Sequence, residues 1–306
     1  MRLLAFCKRL ITNKIMGGDI RDKMNSMRDF FKKHIVIAIL TVFIAGFLIN
    51  EGLYQMGEAL HFSLGTSNKA FFITEIIRKV IPALLIAFCI GTLDSLKYPL
   101  KDFGKSLLSG AWILFLAVLG SVVNCVEAMD DGSKITSPSE IVFYILFMLM
   151  IGLAEELLMR GTITRLLAEK FGKEGKGMVI SVMIGAVCFG LYHLSNYLGT
   201  YDLKATLHQV LATTLSGMLL CAIYVKWGNL LAVIILHAAF DFAALFEYGM
   251  IAGKSIADRH SRGAGDFKQI LISNSTFIIA AVIVMVHKKK KKNIPVEESV
   301  ESKCGA

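Results

Sequence analysis

Residues 141–160 read IVFYILFMLMIGLAEELLMR. The stretch is uncharged from Ile141 to Ala154 and then presents Glu155, Glu156 and Arg160 within six positions. About 20 mainly apolar residues cross a bilayer as a helix, so the charges fall inside the segment rather than beyond it. Such groups are costly in hydrocarbon and persist where they face a protein interior, pair with one another or do chemistry. The stretch therefore sets the fold class: an all-α, polytopic membrane helical bundle, one of whose helices carries charge inward.

The rest of the 306-residue chain agrees with this class. Hydrophobic residues make up 55% and mean hydropathy is +0.61, too apolar for an ordinary soluble domain. Apolar length and polar punctuation predict about eight transmembrane helices, at 34–56, 74–96, 106–128, 139–169, 177–198, 205–226, 229–247 and 268–287. Arg78 and Lys79 in the second are expected to snorkel to an interface and shorten that helix. The first predicted helix follows a long polar leader without a small-residue cleavage site and reads as a retained anchor. Ser181 with Gly185 and Ala186 with Gly190 mark a face of the fifth helix where a neighbour can come close.

The formal charge of +9 is concentrated next to the apolar runs. Nine Lys/Arg precede Ile35 and Lys288–Lys292 follow the last helix, an arrangement that marks cytoplasmic ends and not a nucleic-acid surface. Both termini are thus expected in the cytoplasm. The organisation expected is a basic leader over 1–33, whose opening MRLLAFCKRLI is suited to lying on the membrane lipid. Membrane helices over 34–138, a core over 139–247, a loop and last helix over 248–287 and a basic tail over 288–306 follow. The six cysteines include no CxxC pair and suggest neither a disulfide framework nor a thiolate metal site.

Three polar groupings interrupt the apolar core: Glu155-Glu156-xxx-Arg160, Phe189-xxx-His193 and His237-xxx-Asp241. Residues four apart share a helix face, so Glu156 can pair with Arg160, while Glu155 points about 100° away. At about 1.5 Å per residue, Glu155 reaches the depth of His193 only if its helix continues past Arg160 to about Phe171. A long helix with Arg160 in the interior is predicted. His208, near the end of the sixth helix, and His34, His61, His260 and His287 are read as interfacial or solvated.

These groupings, as EELLMR, FGLYH and HAAFD, resemble the motifs EExxxR, FxxxH and HxxxN/D of the CAAX protease and bacteriocin-processing family of intramembrane endopeptidases. The resemblance covers about residues 139–247. It implies a glutamate-type protease whose site opens to the cytoplasm. Glu155 would be the general base, aided by His193, while His237 and Asp241 would stabilise the oxyanion. Glu156, Arg160 and Phe189 would support the site structurally. Where Asp241 replaces the family's asparagine, it must be protonated to donate a hydrogen bond, or else orient His237.

The resemblance favours no catalytic metal and no cofactor. Its rival is a Zn²⁺ held by Glu155, His193, His237 and Asp241, an acceptable donor set. The implied substrate is a peptide or a prenylated or other membrane protein. A non-proteolytic membrane adaptor or bacteriocin-immunity factor on the same fold is the alternative from another class. An ion-coupled transporter lacks the paired repeats such proteins show.

Overall fold

The computed structural model describes residues 18–59, 68–97, 100–198, 202–254 and 266–287. The opening segment MRLLAFCKRLI and the lysines 288–292 lie outside them. Every named element is helical, and an isolated antiparallel bridge joins Ile135 to Ile251. Helix α1 (Gly18–Lys33) leads into α2 (Ile35–Ala59) and α3 (Asn68–Ile90). A short α4 (Phe103–Ser109) precedes α5 (Ala111–Asp130).

The predicted long helix is present. It runs as α6 (Pro138–Leu158), a π-helical turn (Met159–Thr164) and α7 (Arg165–Phe171), with Arg160 fully buried. Ser137 caps its start by accepting from the Glu140 amide, and Pro138 occupies the first helical turn, where its missing N–H costs nothing. The wide turn is held by the Thr162 hydroxyl, which donates to the Leu157 carbonyl at 3.0 Å and lies 2.8 Å from the Thr92 hydroxyl. π-turns of this kind gather at functional sites.

Helix α8 (Gly175–Tyr192) continues as a 3₁₀ segment (His193–Leu198). Helix α9 (Leu203–Trp227) starts at an Asp202 cap, which accepts from the Ala205 amide at 2.8 Å. Gly228 ends it at φ +71°, a left-handed conformation that glycine adopts without strain. Asn229 then caps α10 (Leu230–Ala244), followed by α11 (Phe246–Met250) and α12 (Phe267–Val286).

Among the described residues, six helices are long and apolar enough to cross a membrane: those of Ile35–Gly57, Ala111–Asp130, Pro138–Phe171, Gly175–Tyr197, Leu203–Trp227 and Phe267–Val286. This is an integral membrane protein, with six such spans where about eight were expected. The two that fall short do so for different reasons. Helix α3 carries Lys69, Glu75, Arg78 and Lys79, and α10 has 15 residues.

The second helix also lies earlier in the sequence than expected, ending at Ile90 rather than 96. It is not shortened by Arg78 and Lys79 but runs through both. Arg78 reaches Asn50 at 2.7 Å and Glu75 at 2.6 Å, so its charge is met within the protein.

The small-residue face of α8 works as read. A Cβ at Gly190 would collide with the Val210 carbonyl and Thr214 of α9, and one at Gly185 would crowd Thr164 and Cys221. Close backbone approach there brings α8, α9 and the π-turn together around Arg160.

Candidate active site

Glu156 and Arg160 form the buried foundation. Arg160 Nη1 donates to Glu156 Oε1 at 2.7 Å, Nη2 approaches the Gly217 carbonyl at 3.4 Å, and both side chains are fully buried. The guanidinium lies 4.1 Å from the centre of the Phe189 ring, a cation–π contact in a water-poor setting. The Phe189 ring also meets His193 and His237 edge-on, with centroids 5.0 and 5.6 Å away. One aromatic thus spaces all three polar groupings.

His237 Nδ1 lies 2.7 Å from Glu156 Oε1, the same oxygen that Arg160 reaches. The pairing expected to steady Glu155 therefore extends to His237, a link that helical spacing within one segment could not reveal. Its other nitrogen, Nε2, stands 3.2 Å from Asp241 Oδ2 and 3.8 Å from Glu155 Oε2.

His193 Nε2 is also 3.8 Å from Glu155 Oε2. Its Nδ1 is 2.9 Å from the Phe189 carbonyl. A carbonyl oxygen can only accept, so Nδ1 carries the proton, and a neutral His193 turns the lone pair of Nε2 toward Glu155.

Glu155, His193, His237 and Asp241 line one cavity of about 510 Å³. The residues selected on three separate helices therefore meet in one place. Among the described residues, no three His, Cys, Asp or Glu side chains are grouped as a metal site.

The cavity has further walls that the sequence reading did not assign. Lys79, expected at an interface, lines it, with Nζ 5.7 Å from the centre of the Tyr192 ring. His208, read as interfacial or solvated, is instead 5% exposed and packs edge-on against Phe267 at 4.0 Å. Among the described residues neither of its ring nitrogens has a hydrogen-bond partner. The overlooked signal was the helical stripe Ala205, His208, Gln209, Ala212, Thr213 and Ser216, which turns one polar face of α9 to the cavity. His34 and His287 are exposed as read, whereas His61 and His260 lie outside the described residues.

The family described as Rce1-like, Type II CAAX prenyl endopeptidase Rce1-like, matches over residues 137–243. Over that segment the chain is similar to the type II CAAX prenyl endopeptidase family. It holds all three motifs and the four residues gathered around the cavity. The resemblance carried by EELLMR, FGLYH and HAAFD is thus shown for the part of the chain that bears them, and with it an endopeptidase at family level. A membrane-associated peptide or protein is the substrate that such a family implies. No curated protein matches the chain.

Proposed function

We propose that this protein is an intramembrane endopeptidase in which Glu155 activates the water that attacks the scissile carbonyl. The observation that carries this reading is the position of Glu155 Oε2, 3.8 Å from Nε2 of both His193 and His237. That gap is too long for a direct hydrogen bond and suits a water bridging the groups.

The His193 tautomer supports the assignment. With Nδ1–H committed to the Phe189 carbonyl, Nε2 and the Glu155 carboxylate offer two acceptors to the two protons of one water. Glu155 takes one proton as the water oxygen bonds to the carbonyl carbon. The carbonyl electron pair moves to oxygen, giving a tetrahedral oxyanion.

His237, protonated on both ring nitrogens, is the donor proposed for that oxyanion. Glu156 accepts from its Nδ1, which fixes the ring with Nε2 toward the cavity, and Asp241 steadies the same edge. The carbon–nitrogen bond then breaks as the proton held by Glu155 passes to the departing amine. A pre-aimed donor in a site shielded from water is worth far more than the same donor in solution.

The test is peptide cleavage by purified, detergent-solubilised protein, with Glu155→Gln beside wild type, each with and without a strong chelator. Loss of cleavage in the variant with retained substrate binding supports the glutamate mechanism. Loss on chelation of the wild type replaces it with the metal mechanism. Equal behaviour of variant and wild type returns the adaptor reading.

A further inference from the structure

Helix α3 lies outside the segment that carries the three motifs, yet it brings a cation to their cavity. Phe72 stacks on Phe147 with ring centroids 4.6 Å apart, and Thr92, just past the end of α3, lies 2.8 Å from Thr162. These two contacts hold α3 along α6 in a common direction. The middle of α3 therefore stands at the level of α6 that holds Glu155.

Arg78 and Lys79 occupy that middle and point about 100° apart. Arg78 takes Asn50 at 2.7 Å and Glu75 at 2.6 Å. Lys79 turns to the cavity, where it is the only lysine or arginine among the described lining residues. Its Nζ lies 5.7 Å from the centre of the Tyr192 ring and has no hydrogen-bond or ion-pair partner among the described residues. The Tyr192 ring in turn meets the His193 ring edge-on, with centroids 6.2 Å apart.

Either end of α3 is roughly 16 Å of helix away from Lys79, farther than a lysine side chain can snorkel. An ammonium withdrawn from water without a partner is costly, and a ring face offsets only part of that cost. The carboxylates already in the cavity are engaged elsewhere. Glu155 stands between His193 and His237, and Asp241 is 3.2 Å from His237. The partner that Lys79 lacks is then an anion that arrives with the ligand. A peptide supplies one as a carboxylate, at its free C-terminus or on an Asp or Glu side chain.

We infer that Lys79 is a specificity-determining residue, which receives a carboxylate that the substrate carries within a few residues of the bond to be cut. The inference rests on the endopeptidase reading and adds to it the charge of the substrate. An extended peptide advances about 3.3 Å per residue, so a chain lying across the Tyr192 and His193 rings covers their separation in a few residues. A basic residue at the same position would be repelled.

Equilibrium binding tests this apart from catalysis. Fluorescent hexapeptides of apolar sequence, with and without an S-farnesyl cysteine, are made as the free C-terminal acid, as the C-terminal amide, and as the amide with one Asp at each position in turn. They are titrated onto purified, detergent-solubilised Glu155→Gln protein and onto the same protein carrying Lys79→Met, Lys79→Arg or Lys79→Glu.

The expected result is that the acid, or one of the Asp amides, binds about tenfold or more tightly than the plain amide, the worth of one hydrogen bond to a charged group. Tighter binding of the acid assigns the C-terminus, and of an Asp amide the side chain. The preference should vanish in Lys79→Met, persist in Lys79→Arg and turn against acids in Lys79→Glu. Should Lys79→Met fail to fold, the reversal in Lys79→Glu decides.

Equal binding of all forms, a preference that survives Lys79→Met, or no binding at all overturns the inference. Equal binding together with cleavage in the assay above leaves the endopeptidase reading standing without it. A Lys79-dependent preference in a protein that cleaves no peptide removes that reading and leaves a carboxylate-binding site.

Discussion

Glu156 and His237 are joined by a 2.7 Å contact between Oε1 and Nδ1, across 81 positions of sequence, and the same oxygen receives Arg160. A structural ion pair is therefore wired into the ring proposed to hold the oxyanion. Arg160 acts through Glu156, and both are positioning residues.

That arrangement separates stability from activity. Removing Glu156 leaves Arg160 as a buried, uncompensated charge, which costs about 3–5 kcal/mol, and removing Arg160 leaves Glu156 with His237 alone. Glu156→Leu and Arg160→Met should each lower the unfolding temperature in detergent. The double variant should be more stable than the sum of the two losses predicts, because neither charge is then left alone. Cleavage should not return with stability, since His237 Nδ1 still lacks its acceptor. A double variant as active as wild type would refute the link.

Asp241 invites a finer substitution. If it orients His237, an amide can do the same through its oxygen, or can turn its nitrogen to the oxyanion. Asp241→Asn should then keep kcat within about tenfold of wild type, whereas Asp241→Leu should lose about 10²-fold, the usual cost of an oxyanion donor that is lost or misplaced. Kinetics of both variants decide it. Equal, complete loss would mean that the carboxylate itself takes part in proton transfer.

The sequence made the site's membership legible and left its wiring hidden. Glu155, Arg160, His193 and His237 stood out because charge and imidazole are expensive among residues such as Leu157, Ile163 and Phe189. The long fourth helix followed from matching depths. By contrast, the Glu156–His237 contact joins two helices, and no periodicity within one segment encodes it.

His208 and Lys79 were misplaced for a related reason. A place near a helix end suggests exposure for His208 and a charged head suggests snorkelling for Lys79, but α9 and α3 present those positions to a shared cavity. The helix count fell short because hydropathy cannot separate a full span from a 15-residue helix such as α10, packed among its neighbours.

Gly190 should prove sensitive out of proportion to its size. Its missing Cβ lets α8 lie against the Val210 carbonyl and Thr214, and backbone cannot step aside as a side chain can. Gly190→Ala should destabilise by about 1–3 kcal/mol, the range for overpacking. Adding Thr214→Ala should restore only part of this, since Val210 remains. Thermal unfolding of the single and double variants checks the expectation, and full rescue would contradict it. His193 is three residues away, so cleavage should fall as well.

Asp94 supplies a pH dependence outside the membrane spans. Burial works to raise its carboxyl, but the hydrogen bonds and charge of Arg165, at 2.6 Å, and the charge of Arg28 outweigh it and leave the carboxyl below its ordinary value. A carboxylate depressed on folding contributes stability that is fully present above its unfolded value, about 4, and is lost as pH falls through the lower, folded one. Asp94 is partly exposed, so solvent screens the contribution and keeps it modest. Asp94→Asn should therefore unfold at a lower temperature than wild type at pH 6, and the difference should shrink toward zero as the pH is taken well below 4. Unfolding curves of the two proteins across that range would show it. A difference independent of pH would mean that Asp94 holds α1 and α7 together through packing rather than charge.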